Sequence, residues 1–201
     1  MLPLPLMAGW SGIAAFAGQS ESDWLQQSTL IQANIYFYGL RIEEKTQSEL
    51  RIGARAGQFD LRFLDLIDET AEKYYGQFLS LYLRWPIALT DQVKFHTSLR
   101  YQLNHGENSV EMNDAEINWS EVSVNAGLSF KLGELALRPF INFHAIDGDT
   151  SSAIETRIFE QNGNSSYGLI LDFFIERTAF IRLMATTGSN QALLLSFARE
   201  I

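Results

Sequence analysis

In the segment VKFHTSLRYQLN, residues 93–104, His96 and Ser98 are the side chains best suited to covalent chemistry. An imidazole beside a hydroxyl can take its proton and make the oxygen a nucleophile, provided both groups lie on one side of the backbone. A spacing of two residues achieves that in a strand, where side chains alternate between faces. Spacing fixes no third group to orient the imidazole; Glu107 and Glu111 follow in the next loop. The second candidate, DGDTSSAIE (147–155), opens like a calcium loop with Asp147, Asp149 and Ser151. It has no glycine at the sixth position, and Ile158 stands where a bidentate glutamate belongs. His96, His105 and His144 share no ligand spacing, and no phosphate-cradling glycine loop is present. No metal or cofactor is therefore expected.

The elements that carry these residues alternate with a period of two from residue 29 onward. TLIQANIYFYGL sets Ile31, Ala33, Ile35 and Phe37 against Gln32, Asn34, Tyr36 and Tyr38, and YGQFLSLYLRW sets Leu79, Leu81, Leu83 and Trp85 against Ser80, Tyr82 and Arg84. Similar runs cover SELRIGARAG, EVSVNAGLSFKL, LALRPFINFHA, YGLILDFFIE, AFIRLMATT and ALLLSFAREI, so nine runs are legible with the opening segment. QFDLRFLDL, residues 58–66, alternates in the opposite phase after Gly57, which predicts a bulge or turn there. Runs of about 9–12 residues exceed the usual strand of about 5–6 and suit a tilted bilayer crossing. Short connections at Leu132-Gly133-Glu134 and Arg177-Thr178 contrast with long polar ones predicted over 104–118 and 147–166.

Composition narrows the function. The 201 residues carry a net charge of −9, which disfavours a nucleic-acid partner because phosphate contact needs clustered basic surface. There is no cysteine, hence no disulfide framework or thiolate metal site. Only Lys45, Lys73, Lys94 and Lys131 are lysines, too few for the exposed faces of a soluble β-protein. Residues 1–20 hold no charge, and Ala15-Phe16-Ala17 fits a cleavage pattern. Residues 1–17 are expected to be a signal peptide or an N-terminal arm, 18–28 an N-terminal segment, and 29–201 one β-domain.

Long alternating strands, two sizes of connection and aromatics near strand ends resemble the small outer-membrane β-barrels of Gram-negative bacteria, the eight-stranded class in particular. The resemblance implies an all-β, antiparallel up-and-down transmembrane barrel of eight strands, ten being the second choice. A soluble lipocalin-like barrel with its apolar face inward is the alternative. Tyr36, Tyr38, Trp85, Trp119 and Phe173 would form the membrane-interface aromatics. The polar faces would line the lumen: Arg51, Arg55, Arg84, Lys94 and Arg100 from the first half, and Lys131, Arg138, His144 and Arg182 from the second. Asp172 and Glu176 would be their acidic partners. Members of this class end on an aromatic that the barrel-assembly machinery reads; here the last face runs Leu193, Leu195, Phe197, Arg199, Ile201. The implied partners are outer-membrane lipids, that machinery during biogenesis, and a ligand of the loops. The expected role is non-enzymatic, structural or surface-interacting. Two alternatives stand beside it: a lipid-acting esterase like the outer-membrane phospholipases and lipid A deacylases, using His96 and Ser98, and a narrow anion-preferring, porin-like pore. In those enzymes an asparagine follows the serine, where this chain has Leu99.

Overall fold

The computed structural model describes residues 12–27, 29–46, 48–64, 71–108, 115–152 and 155–200. The strands are β1 (Gly12–Gln26), β2 (Thr29–Lys45), β3 (Arg51–Leu64), β4 (Ala71–Ala88), β5 (Val93–Asn108), β6 (Glu116–Leu132), β7 (Leu135–Ser151), β8 (Thr156–Gln161), β9 (Ser165–Phe174), β10 (Ala179–Gly188) and β11 (Asn190–Arg199). Each pairs antiparallel with its neighbours, and β11 returns to β1 through a register running from Ile13↔Arg199 to Ser22↔Asn190. Ten strands close the wall, and β8 is an additional piece.

Ten strands replace the eight expected, and the tenth is β1. Its outward residues begin with the small apolar series Ile13, Ala15, Ala17 and continue as Gln19, Glu21, Asp23, so no single alternation spans it. The wall therefore begins at Gly12 rather than at Thr29. Residues 12–17, assigned above to a leader or arm, pair with both β2 and β11, while residues 1–11 lie outside the described residues.

The long polar loops are also shorter than expected. β5 runs to Asn108 and β6 starts at Glu116, so most of 104–118 is strand. Within 147–166, β7 continues to Ser151 and β8 hairpins back on it, pairing Ser151↔Thr156 through Asp147↔Glu160. β8 then reaches across to β1 through Trp24↔Gln161 and Gln26↔Phe159. The strands β9, β10 and β11 have 10 residues each, against 15 in β1. β8 thus completes the wall above the short β10–β11 hairpin, whose turn uses Gly188 at φ 112°. At the other end, Gly133 (φ 65°) supplies the left-handed residue of the two-residue β6–β7 turn.

Both faces of the wall change polarity part-way up. In the half that holds the chain ends, here called the belt, exposed apolar side chains point outward: Leu40 and Ile42 on β2, Leu79, Leu81 and Leu83 on β4, Leu169 and Leu171 on β9, Leu193 and Leu195 on β11. In the opposite half, the rim, most outward residues are polar or acidic, including Glu21, Asp23, Asp60, Glu107, Asp147 and Glu160, with Leu30, Leu64 and Ile158 as exposed apolar exceptions. Inside, the order is reversed. Charged and hydroxylic groups fill the belt, while Trp24, Leu61, Phe63, Tyr74, Ile117, Trp119 and Phe159 pack across the rim as a dry core. Trp119 lies edge-on to Phe59 at 4.8 Å and to Trp24 at 5.7 Å between centroids.

This reversal explains the phase change at Gly57. β3 pairs without interruption from Arg51↔Lys45 to Leu64↔Gln32, so there is no bulge or turn. Ala54 and Ala56 face out as Gln58, Asp60 and Arg62 do; below, the outward face is apolar, and above, the inward face is. Glycines one or two strands away make room for inward rings: a Cβ on Gly168 would overlap the Phe140 ring, and one on Gly106 would come within 2.9 Å of Phe59 Cζ.

Candidate functional site

At belt height the interior holds seven arginines, Arg41, Arg51, Arg55, Arg84, Arg100, Arg138 and Arg182, against three carboxylates, Glu43, Glu121 and Asp172. Alternation along eight strands turns these side chains inward, and closure of the ring brings them together. Glu43 Oε1 accepts from Arg51 Nη1 at 2.6 Å and Arg84 Nη2 at 2.8 Å, while its Oε2 accepts from the Tyr82 hydroxyl at 2.8 Å. Asp172 is held by both Nε and Nη2 of Arg182, at 2.6 and 2.8 Å, and by Arg138 Nη2 at 3.4 Å. Arg100 pairs with Glu121. Such charges persist inside a wall only when paired and hydrogen-bonded.

Between the belt charges and the aromatic roof lies a cavity of about 270 Å³. Its roof includes Phe59, Phe78 and Trp119, and its walls carry Arg41, Arg55, His96, Ser98, Asn125 and Asn142. His144, buried above it, sits between Gln161 Nε2 at 2.5 Å and Asn142 Nδ2 at 3.1 Å. Gln161 Nε2 also donates to the Ser189 carbonyl at 3.2 Å, which ties β8 to the β10–β11 turn.

The residues singled out in the sequence separate as follows. Arg51, Arg55, Arg84, Arg100, Arg138, Asp172 and Arg182 lie inside the belt, and His144 lies higher, at the base of the rim core. Lys94, Lys131 and Glu176 do not face the interior as expected: all three are exposed at the end that holds the termini, Glu176 within the 175–178 turn. Alternation continues to the strand ends there, but the wall stops enclosing space, so the last polar residues meet solvent. Trp119 is likewise a correction: it is 5% exposed, inside the rim core, and not an interface aromatic. Tyr36, Tyr38, Trp85 and Phe173 are exposed on the outer face. Arg41, Glu43 and Glu121 were missed, although Arg41 and Glu43 simply continue the inward series Ile35, Phe37, Gly39 of β2.

His96 and Ser98 both line the cavity, but neither ring nitrogen of His96 has a hydrogen-bond partner among the described residues. Glu107 is exposed on the outer face, and Glu111 lies outside the described residues. The pair therefore shares a face without forming the hydrogen-bonded couple that activates a nucleophile.

No protein-family model matches the sequence, and no curated protein matches it at a significant level. Solved structures share its fold. The β domain of the Bordetella autotransporter Brka superposes with a TM-score of 0.59 at 9% identity, over 95% of this chain and all of that one (100%). The translocator domain of the autotransporter NalP from Neisseria meningitidis gives 0.54 at 10% identity, over 94% and 88% of the two chains. The transport unit of the autotransporter AIDA-I from Escherichia coli gives 0.53 at 9% identity, over 100% and 92%. The chain is an outer-membrane-type β-barrel. The barrel carries an apolar outer belt of the kind that suits lipid, and the soluble-barrel alternative fails there, since its belt would expose leucine to water.

Proposed function

We propose that this barrel is non-conducting and non-enzymatic, and that it acts at the cell surface through its protruding rim rather than through long loops. One observation carries the reading: the interior of the rim is closed by a buried aromatic core while its exterior is mainly polar and acidic. A dry core across the bore opposes ion flow, and a water-facing wall on long, mutually paired strands is a rigid platform for a partner. Barrels of this type keep short turns on the periplasmic side, which orients the chain ends inward and the rim outward. The three neighbours named above are autotransporter domains, but a roof such as Trp24, Trp119 and Phe159 leaves no bore for a polypeptide here.

The chain has no cysteine, so single cysteines report cleanly on orientation. Asp60→Cys in the rim is expected to react with a membrane-impermeant maleimide on intact cells, and Gln92→Cys only after lysis. The purified protein is expected to pass no steady current in planar bilayers. A stable ohmic conductance would sink this reading in favour of the anion pore.

A further inference from the structure

Arg41 and Arg55 are register partners across β2–β3, directly opposite one another on the inward face. Like charges so placed repel, and a protein normally relieves them with a carboxylate between the two. Glu43 does this for Arg51 and Arg84, Asp172 for Arg138 and Arg182, and Glu121 pairs with Arg100, but neither Arg41 nor Arg55 forms an ion pair among the described residues. The Arg55 guanidinium instead lies over the Phe16 ring, 4.4 Å from its centroid, with Nε unpartnered. Both arginines line the 270 Å³ cavity, and so does His96, whose Nδ1 and Nε2 are also buried and without a hydrogen-bond partner among the described residues. An enclosed space with more guanidinium than carboxylate and several idle donors calls for a negative guest.

We propose that this cavity is a binding site for a tetrahedral oxyanion of the phosphate class, held by Arg41 and Arg55. Two planar guanidinium forks match the oxygens of one phosphate, each able to donate two parallel hydrogen bonds. Ser98 and Asn125, which line the same cavity from β5 and β6, would take the remaining oxygens through direct or water-bridged bonds. The guest is either a free phosphate or the phosphate of a larger molecule, and the proposal stands independently of the rim's role.

The test uses the full-length protein folded in non-ionic detergent. Calorimetric titration with inorganic phosphate is expected to show saturable binding. The thermal midpoint is expected to rise by about 3–6 °C at a tenfold excess over Kd, relative to chloride at equal ionic strength. Arg55→Gln is expected to unfold no earlier than the parent without phosphate, since it removes a like-charge pair, and to lose the phosphate response. If Arg55→Gln fails to fold, Arg41→Gln serves the same comparison. Parallel titration with a short-chain phosphatidate separates the sources, because a response to it alone assigns a lipid headgroup. Absence of saturable binding of either, an equal rise in chloride, or an undiminished response in a folded arginine variant overturns the proposal.

Discussion

Trp24 of β1 and Phe159 of β8 lie face to face, with ring centroids 4.6 Å apart and 11° between their planes. Beside it stand the three backbone pairs at Trp24–Gln26 and, just past the end of β8, the Asn162 N–H donating to the Asp23 carbonyl at 2.8 Å. Removing one ring leaves a cavity in a dry core, and Phe→Ala substitutions of this kind cost about 3–5 kcal/mol. Phe159→Ala is expected to open residues 155–164 to limited proteolysis while the belt, and with it the heat-modifiable gel mobility, persists. Loss of both together would show that rim and belt unfold as one unit.

Asp172 accepts both donors of Arg182 and shares Arg138, all three being buried. Removing one partner from such a group strands charge, at a typical cost of about 3–5 kcal/mol. Asp172→Asn is expected to lower the urea midpoint of the folded protein in micelles accordingly. Combining it with Arg182→Met should recover part of the loss, and a strictly additive double variant would contradict this coupling.

Gly168 lies beneath the Phe140 ring, where a methyl group would overlap it. Overpacking of this kind costs about 1–3 kcal/mol. Gly168→Ala is expected to destabilise by that amount and Phe140→Leu to suppress the effect, measured by the same urea titration.

The Lys45 ammonium, 2.6 Å from Glu49, holds that exposed carboxyl below its ordinary range through a hydrogen bond. A depressed folded value means the contribution is present above the unfolded pKa, about 4.3, and fades as pH falls through the folded one. Because both groups are solvated, Glu49→Gln is expected to cost under about 0.5 kcal/mol at pH 7. That difference should shrink in paired unfolding curves as pH falls below about 4.3.

Ser98→Ala is expected to leave folding unchanged and the purified protein without ester hydrolysis above background, assayed with short- and long-chain esters. Hydrolysis that disappears in the variant would restore the esterase reading.

Much of the fold was legible because strand alternation is strong wherever one face meets lipid. Nine of the ten wall strands read directly, among them β4, whose leucines at 79, 81 and 83 alternate with Ser80 and Tyr82. β1 was not legible, since Gly18 and Ser20 face in and Ala17 and Gln19 face out, leaving no contrast at mid-strand. Period two also says which residues share a face but not which face looks inward. Ile31 to Phe37 were apolar for the rim core, and Leu79 to Leu83 for lipid, with the same pattern in the sequence. The soluble-barrel polarity that fails in the belt describes the rim. Of the site, the inward arginines could be read from phase. Their pairings could not, because Glu43 reaches Arg84 from β2 to β4 across β3, and Asp172 reaches Arg138 across the β7–β9 pairing that skips β8, relations that phase within one strand does not encode.

The height at which both faces exchange polarity also bears on how the strands find their alignment. A slip of one residue turns every side chain to the wrong face and is penalised anywhere along a strand. A slip of two preserves facing, so alternation alone tolerates it. Here such a slip would carry Gln58 down among the leucines and Phe59 down among the arginines, out of step with the adjoining strands. The change of polarity thus acts as a vernier, marking vertical position where a uniform pattern has no landmark.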